Sequence, residues 1–104
     1  MVKKSIVWTQ TAAKQRRKIL NYWNERNRST TYSKKLVFLI RRRLSTLCEF
    51  PESGKKSDFT NTRVTSIGHY SIFYQIRQDK LIITAFWDTR QDPKELYVYL
   101  LDPE

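Results

Sequence analysis

One cysteine, one histidine, two glycines and three prolines are all that 104 residues contain of those types. A lone cysteine, Cys48, excludes an intramolecular disulfide and a cysteine-based metal site. Within "LSTLCEF" it falls on an expected helix, where it reads as a small buried hydrophobe rather than a nucleophile. So little glycine and proline argues against low-complexity or disordered character. No stretch approaches the ~20 apolar residues of a membrane span. The opening "MVKKSIVWTQ" has only Ile6, Val7 and Trp8 as its apolar run, too short for a signal peptide. A cytoplasmic protein without membrane contact, metal or cofactor is the expectation.

Negative charge is the scarce sign. Twenty Lys+Arg stand against ten Asp+Glu, a net charge of +10, and the sequence pI is about 10.0. Such a field attracts polyanions, of which phosphate backbones are the commonest. An acidic protein would be attracted equally, so charge alone leaves RNA, DNA and an acidic partner open. The length, with 39% hydrophobic and 13% aromatic residues, fits one domain over residues 1–104 with a modest core.

Periodicity then orders the chain. "SIVWT", Ser5–Thr9, reads as a short strand. A helix follows, with Thr9 or Thr11 as its cap and Ala12, Ile19, Leu20 and Trp23 as its apolar stripe. Ser29 or Ser33 starts a second helix with Val37, Ile40, Leu44 and Leu47 in register; Leu36, Phe38, Ile40 and Leu44 are expected on the sheet. That helix ends near Phe50, because Pro51 disfavours helical geometry in the residue before it. "PESGKKSDFTN" reads as a polar loop.

The period then changes to two. "TRVTSI" alternates, Gly68-His69 reads as the start of the next strand, and Tyr70, Ile72, Tyr74 and Ile76 share one face of "YSIFYQI". A tight turn at "RQD" leads into "KLIITAFW", giving an antiparallel hairpin. Strict alternation groups Trp87 with Leu81, Ile83 and Ala85, and Asp88 with Ile82, Thr84 and Phe86. "DPKE" from Asp92 has the capping chemistry of a final helix. The sum is an α+β fold of order β-α-α-β-β-β-α: two N-terminal helices on a mainly antiparallel four-stranded sheet, with a short C-terminal helix.

Four stretches, "IVWTQTAAKQ", "LSTLCEFPESGK", "TRVTSIGHYSIFYQI" and "KLIITAFWDTRQDP", together resemble the RelE/ParE superfamily, the toxins of type II toxin–antitoxin modules. The resemblance implies a growth-inhibiting toxin and a cognate antitoxin partner. It also implies one of two activities. Some members are ribosome-dependent endoribonucleases that cut mRNA; others poison DNA gyrase and hydrolyse nothing.

RNA cleavage through the 2′-hydroxyl needs a base, an acid and cations around the phosphate. The candidates for those tasks are Arg63, Arg77, Asp88, Arg90 and Tyr97, with Lys55, Lys56, Arg41 and Arg42 as RNA contacts; the resemblance points to Arg90, Tyr97, Lys55 and Lys56, and Asp58 beside the two lysines is a further candidate base. Against it, Ser71 stands where nucleolytic members carry an arginine. His69 is a weaker candidate base than Asp88 and Arg90 are candidates. Each basic residue also has an ordinary reading as a solvated charge, and Arg63 could pair with Asp58 or Glu49. The charge balance favours the ribosome and mRNA as target. A non-enzymatic gyrase poison is the alternative, and a non-toxic basic nucleic-acid-binding domain the third reading. Tyr22 and Trp23 beside "KQRRK", and the open edge of the hairpin, are the expected antitoxin landing surfaces.

Overall fold

A computed structural model describes residues 3–91. The first strand, β1 (Ser5–Trp8), leads directly into helix α1 (Gln10–Asn27). Thr9 is the cap: its Oγ1 accepts from the Ala12 amide at 3.1 Å, a contact that contributes about 1 kcal/mol. Arg28 closes α1 in the left-handed region at φ 49°. Thr30 precedes α2 (Thr31–Glu49), which stops before Pro51, as the proline dictates.

A 3₁₀ turn, Pro51–Ser53, leads to β2 (Lys55–Lys56), then β3 (Arg63–Ile67), β4 (Tyr70–Arg77) and β5 (Lys80–Asp88). Among the described residues the sheet therefore has five strands, in the order β1-β5-β4-β3-β2, where four were expected. The extra strand is a two-residue pairing of Lys55 and Lys56 with Val64 and Arg63, too short to leave a periodic trace. All neighbours are antiparallel except β1 and β5. Gly68-His69 is the turn between β3 and β4, not a strand start; Gly68 takes φ +58°, which glycine adopts without steric cost. The expected helix at Asp92 lies outside the described residues.

Both helices cover one face of the sheet. Leu36, Ile40, Leu44 and Leu47 of α2 are buried with Ile72, Tyr74, Leu81 and Ile83, each aliphatic side chain contributing roughly 1.5–3 kcal/mol. Cys48 is buried, as expected, and burial pushes its thiol pKa up. Phe38 departs from expectation: two residues from both Leu36 and Ile40, it points to the opposite helix face and is 57% exposed. The other sheet face carries Phe73, Ala85 and Trp87, with Phe59 and Val64 packed against them.

One irregularity decides the direction of the whole β5 exit. Phe73 pairs with Ala85 but the next residue, Tyr74, pairs with Ile83, leaving Thr84 as an extra residue in β5. This β-bulge breaks the alternation. Leu81 and Ile83 face the helices together with Phe86, while Ala85 and Trp87 turn to the other side. The grouping of Trp87 with Leu81 and Ile83, expected from strict alternation, is thereby overturned.

Candidate functional site

The α1 helix crosses the sheet over the end of β5 and leaves a groove of about 940 Å³ between them. Gln15 joins the walls: its Oε1 accepts from the Phe86 amide at 2.9 Å, and its Nε2 is buried with no hydrogen-bond partner among the described residues. Lys14, Lys18, Tyr22 and Arg26 recur every fourth residue along the α1 wall. That spacing was readable in the sequence beside the apolar stripe. It marks the groove-lining edge of the helix.

The floor is aromatic. Tyr70 and Phe86 stack with centroids 5.3 Å apart and planes at 26°. The Trp23 indole Nε1 donates to the Tyr70 hydroxyl at 2.6 Å, while burial raises the Tyr70 pKa. Tyr22 and Tyr32 lie against the Trp23 ring at 5.1 and 4.9 Å, and the Arg26 guanidinium sits 5.9 Å from its centroid. Asp88 and Arg90 stand at the mouth. Arg90 donates to both carboxylate oxygens of Asp88, Nε to Oδ1 at 3.0 Å and Nη2 to Oδ2 at 2.8 Å, and its backbone amide adds a third bond at 2.9 Å. Chiefly because of the Arg90 side chain, the Asp88 pKa is held below the usual carboxylate value.

The structure brings together only part of the residue set expected from the sequence. Asp88 and Arg90 share the groove mouth. Arg63 does not join them, and it pairs with neither Asp58 nor Glu49: its Nη1 donates to the carbonyls of Glu52 and Gly54, at 3.2 and 2.8 Å, and so fastens the loop after α2. Arg77 is exposed and donates to Gln75 Oε1 at 3.2 Å. It pairs with Lys80 while Asp88 pairs with Tyr70, so the length of β4 separates it from the groove by roughly 24 Å. Tyr97 lies outside the described residues.

The basic contacts are divided in the same way. Lys55 and Lys56 are exposed on β2, at one edge of the sheet; Arg41 lines a second cavity beside β1, at the other edge. Arg42 lies over the Phe38 ring at 5.7 Å. His69 contributes its backbone: its carbonyl accepts from the Thr89 amide and hydroxyl, both at 2.8 Å. Ser71 is buried on the sheet face away from the helices and paired with Trp87. Nor is the β4–β5 hairpin an open edge, since β3 and β1 flank it; among the described residues the edge strands are β1 and β2.

Among the described residues, no helix is long and apolar enough to cross a membrane, and no group of three or more metal-ligating side chains forms.

Comparison with known proteins adds three findings. Residues 6–93 match the family model described as the ParE toxin of the type II toxin–antitoxin system, parDE. No curated protein matches the sequence. A solved structure of the chromosomal ParDE toxin–antitoxin system from P. aeruginosa is similar in fold, with a TM-score of 0.68 at 17% identity, over 81% of this chain and 94% of that one.

Proposed function

The chain belongs to the ParE toxin family of type II toxin–antitoxin systems, and from that membership we propose that it arrests growth by binding DNA gyrase rather than by cutting mRNA. A toxin of this type implies a cognate antitoxin. One observation carries the choice of target. Asp88, the carboxylate at the groove mouth, is occupied at both oxygens by Arg90, while Arg63 is committed to loop carbonyls and Arg77 stands at the far end of the hairpin. Concerted proton transfer to and from an RNA backbone requires base, acid and cations within hydrogen-bond reach of one phosphate. Dispersed groups of this kind suit a binding surface better than a reaction centre. Ser71, buried and uncharged on the other sheet face, supports the same reading.

The mRNA-cleaving alternative draws its support from Lys14, Lys18 and Arg26, which line the groove alongside Arg90. A single induction experiment separates the two. Gyrase–DNA adducts and mRNA 5′ ends are measured in parallel after the toxin is switched on. Adducts with intact transcripts are the expected result; cleaved transcripts on stalled ribosomes without adducts would reverse the assignment.

A further inference from the structure

Lys14, Lys18, Tyr22 and Arg26 stand every fourth residue on the groove wall, in steps of about 6 Å along the α1 axis. Three of these four are cations, and none has an acidic partner among the described residues, whose ion pairs are Lys3–Glu49 and Arg90–Asp88. Glu25 is the sole acid of α1, and it does not line the groove. The carboxylate that does line it, Asp88, has both oxygens taken by Arg90. An anion entering the groove therefore meets no unanswered negative charge among the described residues.

Between the cations the surface is aromatic. Tyr22 and Tyr32 are 53% and 38% exposed, although both pack on Trp23, whose indole is held by its bond to the Tyr70 hydroxyl. Exposed rings beside a row of cations suit a nucleotide strand, with a base on the ring and phosphates on the cations. A cleft of about 940 Å³ has room for a short run of one strand, not for a duplex.

We infer that the groove holds a short single-stranded stretch of DNA within the gyrase–DNA complex, with phosphates on Lys14, Lys18 and Arg26 and a base stacked on Tyr22. The inference rests on the gyrase reading above and names what this site touches there. The cut duplex of a gyrase–DNA adduct offers such a strand. A row of cations follows a backbone without reading its sequence, so binding is tolerant of base identity and falls steeply with salt.

The test uses the full chain, purified gyrase with and without DNA, and a fluorescent oligothymidylate of about a dozen nucleotides. Lys14→Gln combined with Lys18→Gln is expected to weaken oligothymidylate binding about tenfold or more, and to reduce the slope of log affinity against log salt by about 1.4, roughly 0.7 for each phosphate contact. Tyr22→Ala is expected to cost about tenfold with the slope unchanged, as loss of stacking rather than of charge. Lys55→Gln combined with Lys56→Gln removes the same charge from the β2 edge and is expected to bind like the wild type. The wild-type chain should hold gyrase–DNA more tightly than gyrase alone, and the Lys14/Lys18 variant should lose most of that difference. Equal losses in the two lysine-pair variants, or wild-type binding by Tyr22→Ala, would overturn the groove assignment and leave the gyrase reading standing. A wild-type chain that neither binds gyrase nor raises adducts would remove that reading, and the inference with it, whatever the oligonucleotide shows. Oligouridylate bound more than about tenfold tighter than oligothymidylate would assign the groove to RNA and overturn the inference as well.

Discussion

Arg90 holds Asp88 by both carboxylate oxygens, at 3.0 and 2.8 Å, across the mouth of the groove between α1 and β5. The Asp88 side chain is 14% exposed and that of Arg90 is 51% exposed, so the pair is set into the surface on its acidic side only. The geometry immobilises the exit from β5 and removes the carboxylate from service as a free base.

The pair has a pH signature. The folded-state pKa of Asp88 lies below the ordinary carboxylate value near 3.8, so its stabilising contribution is complete above that value and is lost as pH falls through the lower folded value. Carboxyl-carbon NMR titration is expected to give Asp88 a midpoint under 3.8 in the wild type, rising in Arg90→Ala. Equal midpoints in the two proteins would mean that the ion pair does not persist in solution.

The bulge at Thr84 is a second target. Deleting Thr84 restores strict alternation in β5 while keeping Ile83 and Phe86 on the helix side and Ala85 and Trp87 on the other. Urea denaturation is expected to show a loss of about 0.5–1.5 kcal/mol, that of the hydrogen bond from Thr84 Oγ1 to Phe73 O. A loss of the ~3–5 kcal/mol that emptying a buried aromatic site costs would contradict the register.

Tyr74 locks the loop after α2. Its hydroxyl donates to Pro51 O at 2.7 Å and accepts from the Gly54 amide at 3.1 Å, and a Cβ on Gly54 would collide with that hydroxyl. Tyr74→Phe leaves two backbone groups without their partner and is expected to lower stability by about 1–3 kcal/mol. Gly54→Ala should destabilise the wild type more than it does the Tyr74→Phe background, where the obstructing oxygen is gone. A double-mutant cycle measures the coupling, and additivity would argue against the contact.

Arg63 and Arg77 should separate structure from function. Losing the Arg63 bonds to the Glu52 and Gly54 carbonyls is expected to cost about 1 kcal/mol in Arg63→Ala by chemical denaturation. Arg77 is exposed at a strand end, and Arg77→Ala should be neutral to within about 0.5 kcal/mol. Growth inhibition should survive Arg77→Ala; its loss in a folded variant would revive a role for that guanidinium at the target.

Much of this protein was legible in its sequence. Local signals fixed the order of its helices and long strands: a cap at Thr9 or Thr11, Pro51 as a stop, and a period that changes near Thr62. Four short motifs in the right order carried the family, and the excess of lysine and arginine set a strongly positive net charge. Tertiary structure alone decided which of those cations meet. A single extra residue at Thr84 reverses the face of everything after it, yet leaves no trace in composition or periodicity. Parallel pairing of β1 with β5 joins residues more than seventy positions apart and exposes an edge that local pattern placed elsewhere. Arg77 and Arg90 lie close in sequence but at opposite ends of one hairpin, because an extended strand carries neighbours apart at roughly 3.4 Å per residue.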